Sequence, residues 1–449
     1  LIMPASWLRY RLFSLPLPFW IFLVLAAAAY LSGVRSVPFH PDESTQLFTS
    51  GDAEIFWQRP ADVFWRPENE GSLRQLYREL DAPLTRNLIA LGRWAAGRSA
   101  PAADWDWGKT WEENRQAGAL PDEKLLLSAR LAVAALFPFS MLLLFLAARN
   151  LSNEFTAWAA VLLLASNSLV LLHTRRAMAE SALLFGSILT LWAMLRAGRH
   201  PWLAGFAAGL AFCAKQSLAA LAPAGLLGVI DQEALPPRLW LKKAARAAAL
   251  YGAAFLAVTL LLHPFAWGNL PAAVRASVQA RQNLARAQTN DRPGQALNTP
   301  GRKLLAMTGS LYLTPPMFAE TSNYQKETQA AEAAYLANPL HSLFRTLPAG
   351  SVYLTLSLFG FGAGVCGALR GSRRKLALLL AATVLQAGAL LIAVPLPWQR
   401  YYMPMVPFTI LWAAYGVDQV FSRAVSQSRG RLRLPGGTPG DSCTPRRRQ

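Results

Sequence analysis

Apolar runs about one bilayer wide, separated by short gaps rich in Lys and Arg, recur along most of this chain, and that rhythm constrains its fold more than any other feature. The hydrocarbon core of a bilayer is about 30 Å thick, and a helix crosses it in roughly 20 apolar residues. Lipid offers no hydrogen-bond partners, so each run must satisfy its own backbone, and helices are expected throughout. Ten runs qualify, near 16–34, 126–147, 156–172, 178–195, 202–215, 218–231, 247–264, 349–369, 376–395 and 402–421. The fifth and sixth adjoin in "WLAGFAAGLAFCAKQSLAALAPAGLLGVI". Lys215-Gln216-Ser217 at its middle predicts a break, because a charge there needs a water-filled or protein-lined site.

Charge sorting agrees with two short helices there. With the N-terminus in the cytoplasm, the cytoplasmic pieces become "RYR" (9–11), "ARN" (148–150), "RAGRH" (196–200), "PPRLWLKKAAR" (236–246), "RGSRRK" (370–375) and the C-terminal tail. All are basic, as the positive-inside rule requires. A single span over 202–231 would put "RLWLKK" outside. The formal net charge of +19 is therefore a membrane-sorting pattern and not a nucleic-acid footprint. With 53% hydrophobic and 15% charged residues, the chain has too much apolar surface for an ordinary soluble globule. Cys213, Cys366 and Cys443 show no metal-ligand or disulfide spacing. "AAAAYLSG" holds small residues suited to signal cleavage, yet the first apolar run exceeds a signal core and reads as a retained anchor. The sequence predicts one multi-span domain over 1–425 and a basic, disordered cytoplasmic tail over 426–449.

Two long segments fall on the outer face, near 35–124 and 264–347. The first carries Phe56, Trp57, Phe64, Trp65, Trp105, Trp107 and Trp111, and "SLRQLYRELDAPLTRNLIALGRWAAG" predicts interfacial helices broken near Pro83. "RASVQARQNLARAQ" predicts another basic amphipathic helix in the second. Four features of that face carry chemistry. Asp42 and Glu43 follow Pro41; helix capping is their plainest role, since carboxylates suit the first turn. Arg175 and Arg176 lie outside, with Glu180 opening the next span; contact with lipid phosphates would account for them individually. Lys215 sits at the helix break and Arg400 opens the last span, both positions where side chains snorkel. Together they offer cations for a phosphate, an apolar groove for a lipid chain and carboxylates for chemistry.

"HPDE" after the first span, "DAPLTRNLIALGR", "RRAMAESALLF", "GLAFCAKQS" and "RYYMPMVPF" resemble, in that order, the polytopic GT-C glycosyltransferases. The chain is most similar to the protein O-mannosyltransferase (dolichyl-phosphate-mannose-protein mannosyltransferase) and aminoarabinose-transferase group, over about residues 15–420. The resemblance implies an all-α integral membrane bundle that moves a monosaccharide from a polyprenyl-phosphate donor to a protein, lipid or glycan acceptor outside the cytoplasm. It matches the essential first-loop acid to Asp42, with Glu43 beside it, and a second acid to Glu180, where many relatives carry Asp.

Displacing a phosphate from an anomeric carbon needs a base for the incoming hydroxyl and positive charge for the leaving phosphate. Asp42 is the expected base, and Arg175, Arg176, Lys215 and Arg400 are the expected phosphate ligands. A single displacement would invert the anomeric centre. No nucleotide cofactor is implied, and the sequence shows no Gly-rich phosphate loop. Some relatives use a divalent metal and others do not; its ligands here would come from Asp42, Glu43, Glu180 and His263. Two other readings share these features: a transporter of a lipid-linked substrate or non-catalytic scaffold, and a lipid-linked polymerase. Inverted repeats and midplane charges, frequent in transporters, are not detected.

Overall fold

A computed structural model describes residues 15–230, 236–320, 324–343, 345–370 and 374–431. The expected cytoplasmic piece at 9–11, most of the tail with Cys443, and 371–373 within "RGSRRK" lie outside the described residues. Among the described residues every regular element is helical. Four helical spans among the described residues are long and apolar enough to cross a membrane: Glu123–Leu151, Pro237–Leu262, Leu347–Leu369 and Arg374–Ala393. Leu17–Ser32, Glu154–Ala165, Ala179–Met194, Pro201–Ala214 and Gln216–Ile230 are shorter apolar helices.

The break at Lys215 is present. Pro201–Ala214 ends there because Lys215 is extended (φ −163°, ψ 131°), and the chain resumes as a short 3-10 turn and the helix Leu221–Ile230. The expected run 156–172 divides as well, at Ser166-Asn167, where the Asn167 side chain accepts from the Leu169 and Val170 N–H groups and starts a new helix. The basic piece 236–246 is not a loop. It forms the first turns of Pro237–Leu262, since Pro begins a helix well and Leu, Lys, Ala and Arg extend it. The last helix, Val406–Arg431, runs past the expected start of the tail at 426.

The core gathers Phe19, Phe137, Met141, Phe145, Leu164, Leu183, Phe408 and Trp412. Tyr30 stacks on Phe137 with ring centroids 3.8 Å apart. Leu347–Leu369 and Val406–Arg431 approach backbone to backbone, because Gly360 faces the Trp412 carbonyl and Gly416 faces the Leu356 carbonyl; a Cβ at either would collide. In the first outer segment, Leu73–Leu80 and Pro83–Ala95 meet at Asp81-Ala82, the break expected near Pro83. The amphipathic helix Leu270–Asp291 of the second outer segment packs against Leu73–Leu80, so the two outer segments close over one another.

Candidate active site

Pro41 starts the helix Pro41–Thr49 directly after the first apolar helix. Capping residues at its N-terminus fix the site. His40 Nδ1 accepts the Asp42 N–H (3.1 Å), and Glu43 Oε2 accepts the His40 N–H (3.1 Å). Because Nδ1 is an acceptor, the ring proton of His40 lies on Nε2, which donates to Glu320 Oε2 at 2.7 Å. The adjacent carboxylates then part company. Glu43 turns inward, fully buried, and accepts both Arg130 Nε and Nη2 at 2.7 Å and the Ala177 N–H at 2.8 Å. Asp42 turns outward, 30% exposed, and accepts from Arg400.

Burial alone would raise the Glu43 carboxyl, but the charge and hydrogen bonds of Arg130, with Arg176 and the Ala177 N–H behind them, hold it below the usual carboxylate range. Both oxygens accept two hydrogen bonds each, so Glu43 is engaged as a buried ion pair with Arg130. Glu320 was not anticipated. It is buried, its Oε1 lies 3.0 Å from Arg400 Nε, and Arg400 and His40 outweigh its burial to keep it ionised.

Lys215 and Glu180 face the same basin. Lys215 Nζ donates to Glu180 Oε1 at 2.7 Å, while the buried Glu180 Oε2 has no hydrogen-bond partner among the described residues. Arg400 is close enough for its charge to act on Glu180. Asp81, also unanticipated, lies in the field of both Asp42 and Lys215 and accepts from Gln46 Nε2 at 3.3 Å. Burial, reinforced by Asp42, pushes the Asp81 carboxyl up against the opposing pull of Arg281, Arg86 and Lys215. The basin thus collects Asp42, Asp81, Glu180 and Glu320 with Lys215 and Arg400.

Arg175 and Arg176 are held by other groups, although the charge of Arg176 still acts on Glu320. Residues 174–178 are not helical, so the helical spacing that would set Arg176 beside Glu180 does not exist. Arg175 Nε donates to the Tyr30 carbonyl (2.9 Å) and Nη1 to His341 Nε2 (3.2 Å). Arg176, 1% exposed, donates to the Pro38 and Phe318 carbonyls at 3.1 and 3.0 Å. Arg175 ties the first apolar helix to the second outer segment, and Arg176 ties the first loop to it. His263 is also apart, at the end of Pro237–Leu262 beside Phe265 and Arg86. The expected metal ligands therefore do not converge: Glu43 is saturated, one Glu180 oxygen is bound by Lys215, and His263 is remote. Among the described residues no three His, Cys, Asp or Glu side chains form a metal-binding group.

Residues 122–267 match the family model for dolichyl-phosphate-mannose-protein mannosyltransferase. An archaeal oligosaccharyltransferase, AglB from Archaeoglobus fulgidus, solved with an inhibitory peptide and a dolichol-phosphate, superposes with a TM-score of 0.50 at 12% identity. The match covers 93% of this chain and 52% of AglB. ArnT from Cupriavidus metallidurans, bound to undecaprenyl phosphate, superposes with a TM-score of 0.50 at 14% identity over 92% of this chain and 64% of ArnT. The chain has the GT-C glycosyltransferase fold. It spans about half the length of AglB. Among curated proteins none matches it by sequence. Within this fold the basin lies where the first loop, the second outer segment, the break at Lys215 and the entry to the last helix meet.

Proposed function

We propose that the chain is a membrane glycosyltransferase that moves a monosaccharide from a polyprenyl-phosphate donor to a hydroxyl or amine acceptor on the extracytoplasmic face, by a single inverting displacement. The observation that carries this reading is the Asp42–Arg400 pair, set beside Lys215–Glu180 at the outer ends of apolar helices. The polyprenyl phosphates bound to AglB and ArnT support the donor class. The ten-span topology with both ends cytoplasmic rests on the basic loops and puts the basin outside.

Each basin residue then has a role. Arg400 and Lys215, 12% and 26% exposed, take the departing phosphate, where two cations stabilise charge that grows in the transition state. When Arg400 turns toward the phosphate it releases Asp42, and the freed carboxylate accepts the acceptor's proton as the new glycosidic bond forms and the anomeric C–O bond to phosphate breaks. Coupling of the two events means that the Asp42 carboxylate is freed of its arginine contact as the donor is seated. Glu180 Oε2, buried and unpartnered, is available to accept from a sugar hydroxyl. No Gly-rich phosphate loop is required, since the donor arrives activated.

The test is incubation of the purified, membrane-reconstituted protein with radiolabelled polyprenyl-phosphate sugars, following the label. Transfer to an added protein, lipid or glycan fraction is the expected result. Movement of intact lipid across vesicles without donor consumption would replace this reading with transport.

A further inference from the structure

A second site lies away from the Asp42 basin. A cavity of about 250 Å³ opens between the first outer segment and the end of the helix Pro237–Leu262. Its floor is ionic: Asp52 accepts from Arg78 Nε and Nη2 at 2.8 Å each and from Arg86 Nη1 at 3.2 Å, with Arg74 Nη1 at 3.4 Å behind them. Glu54, on the same helix as Asp52, is engaged by Arg93 (2.9 Å). Asp81 also acts on Arg86 and Glu54 on Arg74, yet the lining itself sets Arg78 and Arg86 against Asp52 alone, which leaves it net positive. The walls include Asn87 and His263, and neither side chain has a hydrogen-bond partner among the described residues. The lip is apolar and open, with Trp57, Leu91 and Leu261 exposed by 75, 58 and 70%. Leu261 belongs to the last turn of a helix long enough to cross a membrane, so the lip sits where that helix leaves the hydrocarbon.

We propose that this cavity seats the phosphate head group of an anionic bilayer phospholipid, with the acyl chains lying over Trp57, Leu91 and Leu261. A positive floor attracts the phosphate, the Asn87 amide and the His263 ring N–H donate to its oxygens, and the apolar lip continues into lipid. The volume is below the roughly 300–1,000 Å³ of pockets that engulf whole small ligands. It suits a head group whose chains lie outside over the lip. The cavity adjoins the basin through Arg86, whose Nη2 donates to the Asp81 carbonyl at 2.7 Å, but its lining includes neither Asp42, Glu180, Lys215 nor Arg400. A lipid held here clamps the first outer segment onto the end of the span. The inference depends on membrane placement and not on glycosyl transfer.

Native mass spectrometry of the purified full-length protein, delipidated and re-supplied with phosphatidylglycerol or phosphatidylcholine, reads the site directly. The expected result is at least tenfold greater retention of phosphatidylglycerol, reduced about tenfold in both Asn87→Leu and His263→Leu, with the thermal midpoint of the lipid-free variants unchanged. Equal retention of the two lipids, or no effect of either variant, overturns the proposal. Displacement by millimolar inorganic phosphate would assign the cavity to free phosphate, and displacement by equimolar polyprenyl phosphate would assign it to the donor; either outcome also rejects the phospholipid.

Discussion

Arg400 donates to the carboxylate of Asp42 across 358 residues of sequence, and the same guanidinium reaches Glu320 from the second outer segment. One cation therefore holds together the first loop, the second outer segment and the entry to the last helix. In the proposed mechanism an incoming anion competes for this arginine, and Asp42 is released when it does.

Asp42→Asn is expected to reduce sugar transfer by at least about 100-fold, the lower range for loss of a general base. Folding should be kept, since Asp42 is 30% exposed and its helix is capped by His40 and Glu43. Single-turnover transfer in reconstituted membranes with saturating donor measures it. Turnover near that of the wild type removes Asp42 from the mechanism.

Glu320→Gln should preserve an acceptor for His40 Nε2 while deleting the negative charge beside Arg400. Arg400 then keeps Asp42 as its contacting carboxylate, with Glu180 acting at longer range. Loss of one charge-assisted interaction, about 1.5–3 kcal/mol, corresponds to a fall in kcat of tenfold or more. The split between kcat and KM distinguishes this from a structural defect: donor KM should change less than kcat. An unaltered kcat would mean that Glu320 only anchors the outer segment.

Why some of this was legible in the sequence and some was not follows from the range of the interactions. Apolar run lengths and basic gaps are local, so the helices, the break at Lys215 and the break near Pro83 could be read directly. The helix start at Pro41 could be read because proline opens a helix well at its first turn, while the role given to Asp42 came from the family resemblance. Arg175 and Arg176 misled, since the spacing argument assumed helix where the chain turns. Glu320 and Asp81 carry no local signal: each acquires its role from partners far away in sequence. Arg130 did leave a trace, as a lone charge inside the apolar run at 126–147, where an ionisable group needs a partner.

That partner makes Glu43 a stability residue. Both side chains of the Glu43–Arg130 pair are buried, at 0% and 4% exposure. Removing one leaves the other charged and unpaired, which costs about 3–5 kcal/mol. Glu43→Gln is expected to lower the thermal midpoint in detergent and the yield of folded protein, and Glu43→Leu combined with Arg130→Met should recover part of the loss. A Glu43→Gln protein as stable as the wild type but inactive would return Glu43 to the catalytic set.

Acid should act through Asp52. Burial alone would raise this carboxyl, but the hydrogen bonds of Arg78 and the charges of Arg86, Arg78 and Arg74 hold it below its unfolded value. A carboxylate depressed in the folded state contributes stability that is present above its unfolded pKa, near about 4, and disappears as pH falls through the lower folded value. Thermal midpoints in detergent should therefore decline below about pH 4 in the wild type. Asp52→Asn should already be destabilised at pH 7, because three guanidiniums lose their counter-charge, and should show a shallower decline on acidification. Parallel curves for the two proteins would show that the acid sensitivity arises from other carboxylates, Glu43 and Glu320 foremost, since both are also held below their usual range.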